Sequence, residues 1–212
     1  MTTTAALRVG QRRPDKDLVA AELAAATFLT ALGVDLTAGG LAETPARMAR
    51  AYAELLSPRE FAFTTFANDE GYDELVVTRD IPIRSVCEHH LLPFVGVAHV
   101  GYLPGDRIVG LSKLARVVQL FAHGPQLQER LTRQIAVWLD THLRPGAVGV
   151  VIEAEHLCVT MRGAHAAGAR SITSAFLGRL RDDARAREEF LTMAGVGSPL
   201  IARRTATPRH PR

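Results

Sequence analysis

The stretch Phe94-Val95-Gly96-Val97-Ala98-His99-Val100 decides the fold class. Its β-branched residues suit a pleated, half-buried surface, and the runs Leu75-Val76-Val77 and Ile81-Pro82-Ile83 before it have the same character. Strands are therefore predicted from Glu74 to about Tyr102, with Pro104-Gly105-Asp106 as the closing turn. Helical periodicity lies on either side. Residues 17–33 read as a helix with Leu18, Ala21, Ala25, Leu29 and Leu32 near one face and Gly33 as its stop. A second helix opens at Thr44-Pro45, where threonine caps and proline fits the first turn; Met48, Tyr52 and Leu55 form its stripe, and Arg47 and Arg50 share a face. Beyond the turn, Leu114, Val117, Val118 and Phe121 mark one helix, with Ser112 as its candidate cap, and Leu127, Leu131, Ile135, Trp138 and Leu139 mark another.

After Pro145-Gly146, residues Val148 to Met161 read as a strand. Strand parity puts Val150, Ile152, Ala154, His156, Cys158, Thr160 and Arg162 on one face unless a bulge intervenes. A last helix is expected from Ser174 to Met193. Strands followed by helices, with no strict alternation, give the α+β class. One domain over residues 17–194 is expected, made of a helical extension (17–60) and a core (74–194), between flexible tails at 1–16 and 195–212.

Composition narrows the function classes. Of 212 residues, 47% are hydrophobic and 22% charged, which excludes a wholly disordered chain. No run approaches the eighteen or so apolar residues of a membrane helix, and the N-terminus lacks the order of a secretory signal, so a cytoplasmic protein without a membrane partner is expected. The net charge of +3 sits largely in the ends, Arg8 to Arg13 and Arg203 to Arg212, and only 6% of residues are aromatic. A specific nucleic-acid partner is not expected. Lysine occurs only as Lys16 and Lys113 in an arginine-using chain, which singles out Lys113.

Cys87-Glu88-His89-His90 sets a thiol and an imidazole three residues apart, and Cys158 is the other cysteine. Two readings stand on spacing alone: inert small hydrophobes beside turn-filling histidines, or three ligands, Cys87, His90 and Cys158, on one zinc. Three protein ligands leave a fourth tetrahedral vertex for water, whose pKa then falls from about 15.7 to roughly 7. His156, two residues before Cys158, and His89, between two ligands and turned from the metal, are candidates for acid or base work; either could instead be a satisfied structural histidine. Ser112, Lys113, Arg116 and Arg162, with Arg47 and Arg50, form a cationic set that suits a polyphosphate, although a helical arginine by default is a solvated one. Glu129, beside Gln128, lies away from its helix's apolar stripe, where it either pairs with Arg133 or accepts from the N1–H and 2-amino donors of a guanine.

These segments together resemble GTP cyclohydrolase I of the zinc-dependent type. The resemblance rests on Ser85-Val-Cys-Glu-His-His-Leu-Leu-Pro-Phe94, Gly101-Tyr-Leu-Pro104, Gly110-Leu-Ser-Lys-Leu-Ala-Arg116, Gln126-Leu-Gln-Glu-Arg130 and His156-Leu-Cys-Val-Thr-Met-Arg-Gly163, with Thr44-Pro45-Ala-Arg47 and Thr173-Ser174 in support. It implies the tunnelling fold, a four-stranded antiparallel sheet with helices packed on one face, whose subunits form a homodecamer with shared active sites. It implies Zn2+ on Cys87, His90 and Cys158, proton transfer by His89 and His156, guanine recognition by Glu129 with Gln128, and triphosphate contacts from Ser112, Lys113, Arg116 and Arg162, with Arg47 and Arg50. The implied reaction opens the imidazole ring of GTP, releases formate and rearranges the remainder to 7,8-dihydroneopterin triphosphate, the first step of tetrahydrofolate and pterin biosynthesis. Two alternatives remain: a related cyclohydrolase feeding a deazapurine or other secondary pathway, and a non-catalytic zinc- or nucleotide-binding module, which would need a fourth protein ligand.

Overall fold

A computed structural model describes residues 5–9, 15–58 and 60–196. The C-terminal tail expected at 195–212 lies outside the described residues beyond 196, as does most of the N-terminal tail. Within that N-terminal segment, however, Ala5–Val9 forms a strand, β1. Helix α1 (Leu18–Ala31) starts where Asp17 accepts from the Ala20 N–H, and the chain turns out of it through Gly33 at φ +81°. Helix α2 (Thr44–Leu55) is capped by Glu43, with no side-chain bond, so Thr44 is a helical residue and not the cap.

The strand region is longer and more continuous than its sequence runs suggest. After β2 (Phe61–Ala67), a single strand β3 (Val76–Cys87) takes in both apolar runs, and a register shift between Thr78 and Ile81, with Asp80 at φ +57°, separates them. Next come β4 (Pro93–Leu103), β5 (Arg107–Val109), α3 (Leu111–Ala122), the two-residue β6 (Pro125–Gln126) and α4 (Gln128–Leu143). Strand β7 (Ala147–His156) then gives way to one helical turn, α5 (Leu157–Thr160). The expected last helix is in its first part a strand, β8 (Ser171–Gly178), followed by α6 (Arg179–Asp182) and α7 (Ala184–Ala194).

The main sheet runs β6-β3-β4-β7-β8. All its pairings are antiparallel except the short parallel contact of β6 with β3. A second sheet, β1-β2-β5, holds Ala5–Val9 against Phe61–Thr65.

One face of the main sheet carries Ile83, Phe94, Ala98, Val100, Val150 and Ile152, and packs on Leu114, Val117 and Val118 of α3 and Leu131, Ile135 and Leu139 of α4. Each of these side chains larger than alanine stabilises the fold by about 1.5–3 kcal/mol on burial. Helices are not confined to that face. Leu180 of α6 and Phe190 of α7 pack with Leu75, Ala147 and Val151 on the opposite side. The room for Phe190 comes from the paired glycines Gly101 and Gly149, where an added Cβ would stand 2.9 and 3.0 Å from its ring. With both faces covered, β7 reads as a nearly unbroken apolar run.

Candidate metal centre

Strand β3 ends at Cys87, and the chain reverses at once. Leu91 N–H donates to the Cys87 carbonyl (2.8 Å) and Cys87 N–H to the Leu92 carbonyl (2.9 Å), with Leu91 at φ +52°. The reversal is tied down from three directions. Tyr52 of α2 donates its hydroxyl to the Leu91 carbonyl (3.1 Å), Glu88 N–H donates to the Gln126 carbonyl (3.1 Å), and the Glu88 carboxylate meets the Arg130 guanidinium. Arg130 in turn donates through Nε to Gln126 Oε1 (3.0 Å). Sequence reading missed Tyr52, Glu88 and Arg130 as site residues. The Arg130 signal was the i, i+4 spacing to Gln126, but Glu88 is 42 positions away, and no local pattern reports such a pair.

The second arm comes from the end of β7. The strand stops at His156, so the parity predicted through Arg162 breaks there, and Cys158 projects from the single turn α5. The three residues expected as ligands nevertheless come together. One donor atom each from Cys87, His90 and Cys158 lies within 4.8 Å of the others, and among the described residues no fourth His, Cys, Asp or Glu joins the group. Cys87 Sγ stands 3.9 Å from His90 Nδ1. Tetrahedral zinc, with Zn–S about 2.3 Å and Zn–N about 2.0–2.1 Å, needs a sulfur–nitrogen edge of roughly 3.5 Å, so a small side-chain adjustment closes the set. Both thiols are free and buried, while His90 is exposed. Burial and the neighbouring Cys87 thiol push the Cys158 thiol above its ordinary pKa, and the Arg162 charge pulls the other way. A cation binding here displaces those protons.

His89 was expected to turn away from the ligands. Instead its Nδ1 is also 3.9 Å from Cys87 Sγ, and its ring meets that of His90 edge-on. His156 stacks on Phe94 across the β4–β7 pairing, centroids 4.5 Å apart and planes 11° from parallel. Burial lowers its pKa, and the exposed Glu129 carboxylate acts in the opposite sense. Gln128 is buried, with Oε1 2.7 Å from His156 Nε2 and its amide nitrogen against Ile152 O, Ser171 O and Thr173 Oγ1.

The rest of the cationic set lies apart within one chain. Ser112 is inside α3, whose cap is Gly110; with Arg116, Phe61, Ala115 and Gln119 it lines a depression of about 310 Å³ that none of the three ligands borders. Lys113 is half-buried on the same helix. Arg47 and Arg50 are exposed on α2. A larger groove, about 820 Å³, runs between α1, α2 and the metal turn, lined by Phe28, Met48, Tyr52, His89 and His90 among others, but by neither arginine.

Comparison with known proteins adds an independent finding. The family model for GTP cyclohydrolase I matches residues 21–195. A GTP cyclohydrolase 1 of Mycobacteroides abscessus is 51% identical over 184 residues, covering 84% of this chain and 89% of the relative. Those of Aquifex aeolicus and Hydrogenobaculum sp. are 49% and 47% identical over 166 residues, each covering 78% of this chain and 90% and 91% of the relative. Among solved structures, the apo archaeosine synthase QueF-Like is similar over 50% of this chain and 94% of its own, at 16% identity and a TM-score of 0.40, a likeness too weak to bear on fold or function. With the model spanning most of the chain and half of the residues shared with such relatives, the chain belongs to the GTP cyclohydrolase I family.

Proposed function

We propose that this chain hydrolyses the imidazole ring of GTP, releases formate and rearranges the remainder to 7,8-dihydroneopterin triphosphate, the entry reaction of tetrahydrofolate and pterin synthesis. The observation that carries the reading is the convergence of Cys87, His90 and Cys158 on one point with no fourth protein ligand among the described residues. A closed structural zinc site needs that fourth ligand; a catalytic one leaves it out. Cys87, His90 and Cys158 would hold Zn2+, which would supply a Lewis acid and make water a nucleophile near neutral pH.

The chain's own groups supply the rest. His89 and His156 hold and move protons, a role that fits an imidazole beside the ligands and a half-buried one stacked on Phe94. Glu129 is the guanine-recognising carboxylate; it is exposed and close enough to His156 for its charge to act there. Arg162, whose charge acts on Cys158, faces the triphosphate from the metal side, and Ser112, Lys113 and Arg116, with Arg47 and Arg50, complete the anion site.

Because none of the three ligands lines the Ser112–Arg116 depression, a second copy completes the site. The same conclusion suits α1, which leaves Val19, Leu23 and Phe28 more than half exposed, as is Leu32 just beyond it, and edge strand β8, with Ile172 60% exposed. The assembly is a homodecamer of the tunnelling-fold type, built on the antiparallel β3-β4-β7-β8 portion of the sheet, with residues 17–60 as a helical extension and 74–194 as the core. No described helix is long and apolar enough to cross a membrane, which accords with a cytoplasmic enzyme.

The test is formate release from GTP by the zinc-loaded protein, with the pterin product identified by chromatography. A chelator should abolish release and added zinc should restore it. No formate from the zinc-loaded chain would overturn the proposal, and a different product would place it among related cyclohydrolases.

A further inference from the structure

The hydrogen-bond directions around Gln128 can be followed without ambiguity. Thr132 Oγ1 lies 2.7 Å from the Gln128 backbone carbonyl, which can only accept, so the Thr132 hydroxyl hydrogen points there. Thr132 Oγ1 must then accept from its other neighbour, Thr173 Oγ1, also at 2.7 Å. That uses the Thr173 hydrogen, so Thr173 can only accept from Gln128, 3.1 Å away, and the Gln128 atom facing it must be the amide nitrogen. Two backbone carbonyls demand the same orientation, Ile152 O at 3.1 Å and Ser171 O at 3.0 Å. A reversed amide would set its oxygen against both carbonyls inside a pocket where Gln128 is only 3% exposed, at a cost of about 1–3 kcal/mol for each unsatisfied group. The atom 2.7 Å from His156 Nε2 is therefore Oε1, which has no hydrogen to give. The hydrogen in that contact belongs to His156.

We propose that Gln128 is a positioning residue that holds His156 as the Nε2–H tautomer, so that Nδ1 is the nitrogen His156 offers to substrate. The stacked Phe94 ring restricts rotation of the imidazole, and the Gln128 amide, anchored by β7, β8 and Thr173, fixes its far edge. This gives Gln128 a different duty from its exposed neighbour Glu129. Its amide groups are already engaged inside the chain, so the guanine contact falls to Glu129 alone. The inference rests on the reading of His156 as a proton-transfer group, but its geometric half can be read without any turnover.

Neutron diffraction from H/D-exchanged crystals of the zinc-loaded wild-type protein should show deuterium on His156 Nε2 and the deuterated amide nitrogen of Gln128 toward the Ile152 and Ser171 carbonyls. A bare Nε2, or a reversed amide, overturns the inference whether or not formate is released. If the geometry stands and the wild type releases no formate from GTP, the function proposal fails and the tautomer assignment survives. The kinetic arm is Gln128→Ala, scored only with zinc content and melting midpoint confirmed near wild type. Loss of orientation should lower kcat between about tenfold and a thousandfold, no more than acid–base catalysis itself contributes, with little change in KM for GTP. A raised KM with kcat retained would return Gln128 to guanine contact and overturn the positioning role.

Discussion

Replacing Gly96 with alanine should damage the sheet and the adjoining Phe94–His156 corner together. Gly96 is opposite Ala154 in the β4–β7 pairing. A Cβ at Gly96 would stand 2.0 Å from the Glu153 carbonyl oxygen, 2.6 Å from Ala154 Cα and 2.8 Å from Ala154 Cβ. None of these atoms sits at the end of a rotatable side chain, so relief requires the two strands to part. Overpacking a core costs about 1–3 kcal/mol, and a clash with backbone on this scale belongs at the top of that range. A loss of about 3 kcal/mol corresponds to a melting midpoint lower by roughly 6–12 °C in a chain of this length. The site should feel it too, because Phe94 and His156 form the next like-facing pair along the ladder and carry the stacked rings. Thermal unfolding of the zinc-loaded protein, with zinc content and formate release measured on the same sample, is the assay. Gly39→Ala is the control: it has open space around the added Cβ, and it should shift the midpoint by no more than about 2–3 °C. If Gly96→Ala melts as close to wild type as Gly39→Ala does, Gly96 does not face Ala154 and the β4–β7 register is wrong.

Three further outcomes follow from the same contacts. Arg130→Ala frees the Glu88 side of the metal turn, and zinc affinity, read by competition with a chromophoric chelator, should fall about 10- to 100-fold; Glu88→Gln should share the loss non-additively, and an unchanged Kd in both variants would refute the tether. Ile135→Ala opens a cavity between α4 and the sheet at a fully buried position and should cost about 2–5 kcal/mol in denaturant unfolding; a cost under about 1 kcal/mol would mean the core is not closed there. The Arg185 and Ala186 N–H groups hold the Asp183 carboxyl below its ordinary pKa, so this cap contributes stability above the ordinary value, and the contribution disappears as pH falls through the lower folded value. The melting gap between wild type and Asp183→Ala should therefore narrow only in strong acid, and a gap that persists unchanged there would sink the assignment.

What the sequence disclosed depended on how local the cause was. The helices α2, α3 and α4 were legible because each carries its own apolar period, α1 as an alanine- and leucine-rich run between Asp17 and Gly33, and β4 because valine recurs along it. The larger part of strand β8, from Ser174, was misread as helix: Ser171–Gly178 is mixed in character and runs straight into two true helices, so only its pairing with β7 reveals it. Strands β1, β2 and β5 likewise owe their identity to each other. The ligand trio was legible as residue types, but the parity argument that tied His156 to Cys158 failed, because the strand ends at His156 and a helical turn carries the thiol. Gln128 was read from a motif as a substrate contact, and nothing in a linear pattern could show that its amide was already engaged across β7 and β8.

The segment Gln126-Leu127-Gln128-Glu129-Arg130 explains how two arms from distant strands are held in one geometry. Successive residues on a helix are about 100° apart, so Gln128 and Arg130 point to roughly opposite sides of the first turn of α4. Arg130, with Gln126 of β6, reaches the Cys87–His90 reversal at the end of β3. Gln128 reaches inward to His156 at the end of β7, while Glu129 between them stays exposed. One helix start thus braces the Cys87–His90 reversal, contacts His156 at the end of β7 and presents an exposed carboxylate alongside. A helix start does this better than a loop because the angles between its side chains are set by the backbone. Leu131 and Ile135, fully buried one and two turns further on, fix the helix against the sheet from which both arms emerge.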